Sequence, residues 1–163
     1  MSSSSELSRF YAGAVTAAAW DRSRCSVAGT LAVVGEKWSL LVLREAFLGV
    51  RRFADFQRIL GAPRAVLTDR LATLVDQGVL QRVPYQAEGE RQRHEYRLTQ
   101  KGIDLYPTLV ALMEWGDRYL NDGGVGPLEL THRGCGAPVH LTLTCEAGHA
   151  LSGARDVRPV PHT

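Results

Sequence analysis

The chain has 163 residues, of which 45% are hydrophobic and 22% charged, values ordinary for a soluble globular protein of one domain, with or without a small appendage. Its three cysteines, Cys25, Cys135 and Cys145, are too few and too scattered for a disulfide scaffold. No apolar stretch reaches the ~18 residues that span a bilayer, and residues 12–20 lack the basic start of a signal peptide. We therefore expect a cytoplasmic protein with no membrane partner.

The net charge of +2 does not by itself indicate a nucleic-acid partner, but the charge is unevenly distributed. Residues 44–101 hold eleven basic and seven acidic side chains, a net charge of +4, whereas the rest of the chain sums to −2. Seventeen of the nineteen basic residues are arginines, which suit forked contacts with phosphate or guanine.

The first half of the chain reads as a series of helices. An alanine-rich composition predicts a helix over residues 6–20. A second helix should begin at Cys25 and end at Gly35, with Val27, Leu31 and Val34 at helical spacing on one side. Residues 36–49 and 52–61 predict two more helices, and each ends at a glycine.

Residues 63–77 predict a helix with two different faces. Pro63 suits the first helical turn, where a missing N–H costs nothing. The face expected to be buried consists of Leu67, Leu71, Leu74 and Val75. The opposite face consists of Arg64, Ala65, Thr68, Asp69 and Ala72. Residues 79–86 and 93–99 then read as two strands around a loop.

Two short helices followed by a two-stranded ribbon are typical of a winged helix-turn-helix, which predicts binding to double-stranded DNA. The second helix fits the major groove, and the ribbon reaches the flanking backbone or minor groove. The candidate DNA contacts are Arg51 and Arg52 before the third helix, Arg64, Ala65, Thr68 and Asp69 on the recognition helix, and Arg91 and Arg93 in the wing. The alternative is a winged helix that binds another protein and has a solvated charged face.

A last long helix should be capped by Thr99 and run to about Leu120, with a kink before Pro107. It has more apolar positions than a small domain needs for its own core: Ile103, Tyr106, Leu109, Val110, Met113 and Leu120. They predict a homodimer interface formed with the helix over residues 6–20, or else packing against that helix within one chain. Two-fold symmetry would place the recognition helices about 34 Å apart, in successive major grooves.

Three segments resemble the HxlR-type family of bacterial transcriptional regulators, relatives of the MarR group: CSVAGTLAVVGEKWSLLVLREAFLGVRRFADFQRILG, VLTDRLATLVDQGVLQRVPYQ and HEYRLTQKGIDLYPTLVALMEWGDRYL. They lie within residues 25–120, about 60% of the chain. The resemblance implies a homodimer that binds a pseudo-palindromic operator, with residues 63–77 as recognition helix and 86–93 as wing. Members often have a polar residue at the position of Ala65, so the base preference of relatives need not transfer.

The signal that such a regulator senses is left open between two alternatives. Some HxlR-type regulators sense oxidants or electrophiles through a cysteine at the position of Cys25, where a helix start flanked by Arg22 and Arg24 favours a reactive thiolate. A small residue that merely packs a helix start is the plainer interpretation of Cys25. The other alternative is a small-molecule effector between the last helix and the C-terminal sheet, with Tyr106, Trp115 and Tyr119 as candidate lining residues.

Enzymatic activity is not expected. The sequence has no G-x-S-x-G, no P-loop and no G-x-G-x-x-G, and nothing orients a base beside Cys135 in the HRGCG segment. We therefore expect no cofactor.

Beyond residue 120, the segments LELTH, VHLTLTC and ALSG predict a small antiparallel β tail. His132, Cys135, Cys145 and His149 are candidate zinc ligands, although related tails tend to end in C-x₂-C and this chain has Gly148 at the last cysteine position. A straight strand over residues 138–144 would be about 20 Å long, too long for Cys135 and Cys145 to share a metal or a disulfide. We therefore expect a metal-free tail packed on the dimer helices.

The predicted fold class is thus α+β, mainly α: a winged helix-turn-helix with a long C-terminal dimerisation helix and a small β tail. The predicted parts are residues 1–24, 25–120 and 121–163.

Overall fold

The computed structural model describes residues 21–86 and 92–160. The helix predicted over residues 6–20 and Arg91 of the wing lie outside these ranges. Ser26–His140 forms one compact unit, and of the other described residues, 21–25 and 141–160 belong to a second unit. The boundaries predicted at residues 24 and 120 stay a prediction.

The larger unit confirms a mainly helical winged helix-turn-helix. Its helices are α1 (Ser26–Val34), α2 (Lys37–Phe47), α3 (Phe53–Leu60), α4 (Arg64–Asp76), α5 (Gln100–Ile103) and α6 (Tyr106–Leu120). Strands β1 (Leu80–Tyr85) and β2 (Arg93–Leu98) stand between α4 and α5. Short 3-10 turns also occur in the described part of the chain: Asp122–Gly124 lies in this unit, and Arg22–Arg24 and Ala154–Asp156 lie in the other.

The two strands pair antiparallel, with Leu80 opposite Leu98, Pro84 opposite His94 and Tyr85 opposite Arg93. The chain before α3 adds a short third contact to this ribbon. Arg52 forms an antiparallel bridge with Glu95, and the Tyr96 amide donates to the Arg51 carbonyl at 2.7 Å. The base of the wing is therefore fixed to the start of α3.

The core lies among α2, α3, α4 and β1. Its buried side chains are Val34, Val42, Leu43, Phe56, Ala62, Leu67, Leu71, Leu74, Val79 and Leu80. The predicted buried face of α4 is confirmed at the three leucines, which are fully buried, while Val75 is half-buried. Burying one such leucine stabilises the fold by about 1.5–3 kcal/mol, so this face fixes the orientation of α4.

The apolar residues that lie at helical spacing in α1 are not all buried. Val34 is buried, but Val27 is 68% and Leu31 56% exposed. Only the C-terminal end of α1, Val33 and Val34, packs against the core, so helical spacing alone did not identify a buried face. Among the described residues no single helix is long and apolar enough to cross a membrane; α1 and α2 pass that test only as a pair bent by 77°.

The predicted last helix is divided into α5 and α6. Thr99 caps α5 as predicted, because its Oγ1 accepts a hydrogen bond from the Gly102 amide at 3.2 Å. The helix then breaks at residues 104–105, before Pro107. Proline lacks an N–H, and inside a helix its ring would clash with the carbonyl four residues earlier, that of Ile103. The helical hydrogen-bond pattern is therefore interrupted at the predicted kink, although Asp104 and Leu105 keep helical φ and ψ angles.

The tail pairs antiparallel, but the straight strand predicted over residues 138–144 is wrong. Thr131 bridges Pro138, and Thr144 bridges Ala150. Each bridge closes a local turn, and Pro138 has no N–H to continue a ladder.

Candidate nucleic-acid interface

The turn before α4 sets the angle of the recognition helix. Gly61 ends α3 in the left-handed region, with φ 61°, and Ala62 is buried. Pro63 is the residue before α4 and not part of its first turn, since its ψ is 136°. The Pro63 carbonyl accepts the first hydrogen bond of the helix, from the Leu67 amide at 3.0 Å.

The predicted DNA-facing side of α4 is exposed. Arg64, Ala65, Thr68 and Asp69 all lie in solvent, and Ala72 is half-buried. The Asp69 carboxylate pairs with Arg70, so only part of its acceptor capacity is open. The face thus offers one cation, one hydroxyl, one methyl group and one partly paired carboxylate.

Arg64 is held by an aromatic ring of the preceding helix. Its guanidinium carbon lies 5.0 Å from the centroid of Phe53, the first residue of α3. Arg52 is held in the same way, 4.7 Å from the ring centroid of Tyr85 in β1. Sequence reasoning missed both rings, because each pair is separated along the chain and meets only through the tertiary fold.

These contacts join the recognition helix to the wing. Arg64 contacts Phe53, which follows Arg52; Arg52 contacts Tyr85, and Tyr85 pairs with Arg93. We call the surface formed by Arg51, Arg52, Arg64 and Arg93 the arginine surface. All four arginines are exposed.

Carboxylates pair with other arginines near this surface. Arg58 donates to Asp55 at 3.1 Å, and Arg97 donates to Glu95 at 2.6 Å. These arginines have part of their donor capacity occupied, whereas a ring contact leaves the donors of Arg52 and Arg64 available.

The residues predicted for the dimer interface fall into two groups. Tyr106, Leu109, Val110 and Met113 face α2 within the same chain, across a groove of about 540 Å³ that Pro127, Leu128 and Leu130 also line. Ile103 and Leu120 are exposed.

Of the predicted effector-pocket residues, only Tyr106 lines this groove, where its ring lies 4.9 Å from that of Phe47. Trp115 and Tyr119 do not line it. They are 57% and 63% exposed, with their ring centroids 5.4 Å apart.

Cys25 is half-buried and directly precedes α1. Its amide donates to the Arg22 carbonyl at 3.2 Å. In the same turn the hydroxyl and amide of Ser23 donate to Asp21 and lower the pKa of that carboxyl.

The four candidate zinc ligands form two local pairs. His132 Nδ1 lies 3.3 Å from Cys135 Sγ, and Cys145 Sγ lies 3.5 Å from His149 Nδ1. Within residues 21–86 and 92–160, no group of three or more His, Cys, Asp or Glu side chains is arranged to hold a metal ion.

The chain matches a known protein family. The HxlR-like helix-turn-helix family matches residues 33–123, more than half of the chain. The chain belongs to the HxlR-like helix-turn-helix family. It is a transcriptional regulator with a helix-turn-helix DNA-binding fold, as the sequence resemblance predicted.

This HxlR-like regulator is similar to known proteins over most of its length. The HTH-type transcriptional regulator Rv3095 of Mycobacterium tuberculosis is 48% identical over 137 residues, 83% of this chain and 85% of that protein. The crystal structure of PA1607, assigned as a transcription factor, superposes with a TM-score of 0.74 at 40% identity, covering 85% of this chain and 95% of that one. The redox regulator HypR in its reduced form superposes with a TM-score of 0.52 at 32% identity, covering 57% and 91%.

Proposed function

We propose that this regulator is a homodimer that binds a pseudo-palindromic operator through the exposed face of α4 and the wing. The observation that supports the proposal most directly is the arginine surface, which runs from α4 through the start of α3 to the wing. The exposed guanidinium groups on α4, at the start of α3 and in the wing supply the positive charge that contacts with DNA phosphates require.

The side chains of this surface have different roles. Arg64 and Thr68 lie four residues apart on one face of α4 and meet base edges in the major groove. Ala65, in the adjacent row, allows close approach or contact with a thymine methyl group. Arg51, Arg52 and Arg93 flank the helix and meet phosphates, and Arg91, which the sequence assigns to the wing, is proposed to have the same role.

The partner that completes the operator-binding unit is a second copy of the chain. Helix α6 has an outward apolar face, Leu112, Trp115, Tyr119 and Leu120, whose side chains are 49–72% exposed. Covering these large side chains removes apolar area from water and favours association. Trp115→Glu should therefore lower the mass measured by light scattering to that of one chain. Val157→Glu, at another exposed apolar position (51%), is the control and should leave the mass unchanged.

Operator binding is tested with a duplex containing the promoter upstream of the chain's own gene and a random duplex of equal length. Arg64→Ala and Thr68→Ala should each weaken promoter binding by about 1–3 kcal/mol, measured by fluorescence anisotropy, because each removes a base contact. Arg93→Ala should weaken both duplexes more evenly and reduce the salt slope by about one. Arg133→Ala, at an exposed arginine outside both α6 and the arginine surface, is the control.

The rival function is a winged helix that binds a protein. Its prediction is distinct: the wild-type chain would show no affinity for either duplex at low salt. That result would end the DNA-binding proposal.

The signal has two candidates. Cys25 is the first, and it is supported by its position directly before α1 and by the similarity to the redox regulator HypR. Oxidant should then release DNA from the wild type but not from Cys25→Ser. An equal response of both proteins would assign Cys25 a structural role. The second candidate is a small apolar effector in the groove between α2 and α6, whose volume lies within the ~300–1,000 Å³ usual for ligand sites.

A further inference from the structure

Two arginines of the arginine surface rest on aromatic rings that the fold itself holds in place. Phe53 is half-buried and packs against the core beneath Arg64. Tyr85 is half-buried in β1, beneath Arg52. The distances of 5.0 Å and 4.7 Å from guanidinium carbon to ring centroid are within the range of a cation–π contact. Each arginine is therefore exposed, but the ring on which it rests restricts the orientation of its guanidinium group.

A cation–π contact differs from an ion pair because it leaves the N–H donors of the arginine available for a ligand. A ring meets the flat face of a guanidinium group, whereas the N–H donors point outward in its plane. Those in-plane donors make the bidentate contacts with guanine or phosphate. By contrast, Asp55 and Glu95 occupy donors of Arg58 and Arg97. A ring can therefore orient an arginine without competing with DNA.

Orientation before binding also reduces the entropic cost of binding. A free arginine side chain loses rotamer freedom when it is fixed against a partner, and a side chain that is already ordered loses less. For one side chain the expected gain in affinity is about two- to tenfold.

We infer that Phe53 and Tyr85 are positioning residues for DNA binding, which act through Arg64 and Arg52 respectively. The inference rests on the proposed DNA-binding function. Because Arg64 lies on α4, the Phe53 ring sets discrimination between operator and random sequence. Because Arg52 lies at the base of the wing, the Tyr85 ring sets affinity for phosphates of any sequence.

The positioning role of Phe53 is tested with the full chain by a double-mutant cycle. Phe53→Leu keeps an apolar side chain but removes the ring, and it should weaken promoter binding about two- to tenfold while affecting the random duplex less. In an Arg64→Ala background the same substitution should have no further effect. Phe53→Tyr keeps the ring and should restore binding.

The positioning role of Tyr85 is tested by the affinity for both duplexes and by the salt dependence of binding. Tyr85→Leu should weaken both duplexes by a similar factor and move the salt slope toward that of Arg52→Ala, which is smaller by about one. Tyr85→Phe should bind as the wild type does. The control is Trp38→Leu, which removes a ring from under Lys37 (Nζ to centroid 5.0 Å) outside the arginine surface and should leave DNA affinity unchanged.

Measuring the thermal unfolding midpoint of every variant distinguishes weaker DNA binding caused by unfolding from weaker binding caused by loss of the ring. If wild type and Phe53→Leu bind the promoter equally, or if Phe53→Leu weakens binding as much in the Arg64→Ala background as alone, the positioning role of Phe53 is overturned, and the DNA-binding proposal stands. If Tyr85→Leu binds both duplexes as the wild type does, or weakens binding as much in an Arg52→Ala background as alone, the positioning role of Tyr85 is overturned. Absence of DNA binding by the wild type overturns the proposed function and, with it, both positioning roles.

Discussion

Replacing Gly102 with alanine should destabilise the protein, although alanine is the better helix former. A Cβ added at Gly102 in α5 would lie 2.3 Å from the Val79 carbonyl oxygen and 3.0 Å from Leu98 Cδ2. Carbon and oxygen atoms in close contact are normally about 3.3–3.6 Å apart, so α5 would have to move by about 1 Å. Both Val79 and Gly102 are buried, and the obstructing atom belongs to the backbone, so no side chain can rotate away.

The movement would break hydrogen bonds at the junction of α4, β1 and α5. The Thr99 amide donates to the Val79 carbonyl at 3.1 Å, and Thr99 Oγ1 donates to the Gly78 carbonyl at 2.6 Å. Losing one or both costs about 0.5–1.5 kcal/mol each, and overpacking adds about 1–3 kcal/mol. Against these stands a gain in helix propensity of about 0.5–1 kcal/mol. The net expectation is a loss of about 0.5–5.5 kcal/mol in the free energy of unfolding.

Urea unfolding followed by far-UV circular dichroism measures this loss. The matched control is Gly29→Ala in α1, where an added Cβ has no heavy atom within 4 Å. This control should gain about 0.5–1 kcal/mol, because only the propensity term applies. If Gly102→Ala were as stable as the wild type while Gly29→Ala was stabilised, the close approach of α5 to Val79 would be refuted.

Three further substitutions test the core and the same junction by urea unfolding. Ser39→Ala should raise the free energy of unfolding by about 1 kcal/mol, because the Ser39 hydroxyl is buried with no hydrogen-bond partner among the described residues; a loss of stability would mean that the hydroxyl has a partner. Leu71→Ala should cost about 2–5 kcal/mol, since this side chain is fully buried in the core face of α4; a cost below 1 kcal/mol would contradict that burial. Thr99→Val should cost about 1–2 kcal/mol through loss of the α5 cap, and an unchanged midpoint would show that the cap contributes nothing.

Much of the winged helix could be predicted from sequence because its signals are local. Leu67, Leu71 and Leu74 recur at helical spacing, and Gly61 and Gly78 lie just outside the helix ends they predicted. The exposure of Arg64 and Thr68 followed from the same periodicity, because residues opposite a buried face of a helix meet solvent.

The parts that sequence did not predict depend on tertiary contacts. Val27 and Leu31 have the spacing of a buried face, yet nothing in their pattern says that only the end of α1 reaches the core. Phe53 and Arg64 are eleven positions apart, and their contact exists only because a short turn folds α4 back on α3. The strand predicted in the tail failed for a related reason. Alternation suggested one continuous strand, whereas Pro138 pairs with Thr131 and Thr144 pairs with Ala150. Each of these partners is close in the chain, so closing the loop between them costs less entropy.

Pro84 has a consequence for how the wing can meet other molecules. It stands opposite His94 in β1, which pairs only with β2 among the described residues, so β1 is an edge strand. An edge strand normally offers a row of N–H and C=O groups on which a strand from another molecule can align, the first step of many aggregates. Proline interrupts that row, because it has no N–H to donate. The wing can thus expose its backbone and its arginines to a nucleic acid while resisting extension by a neighbouring protein strand.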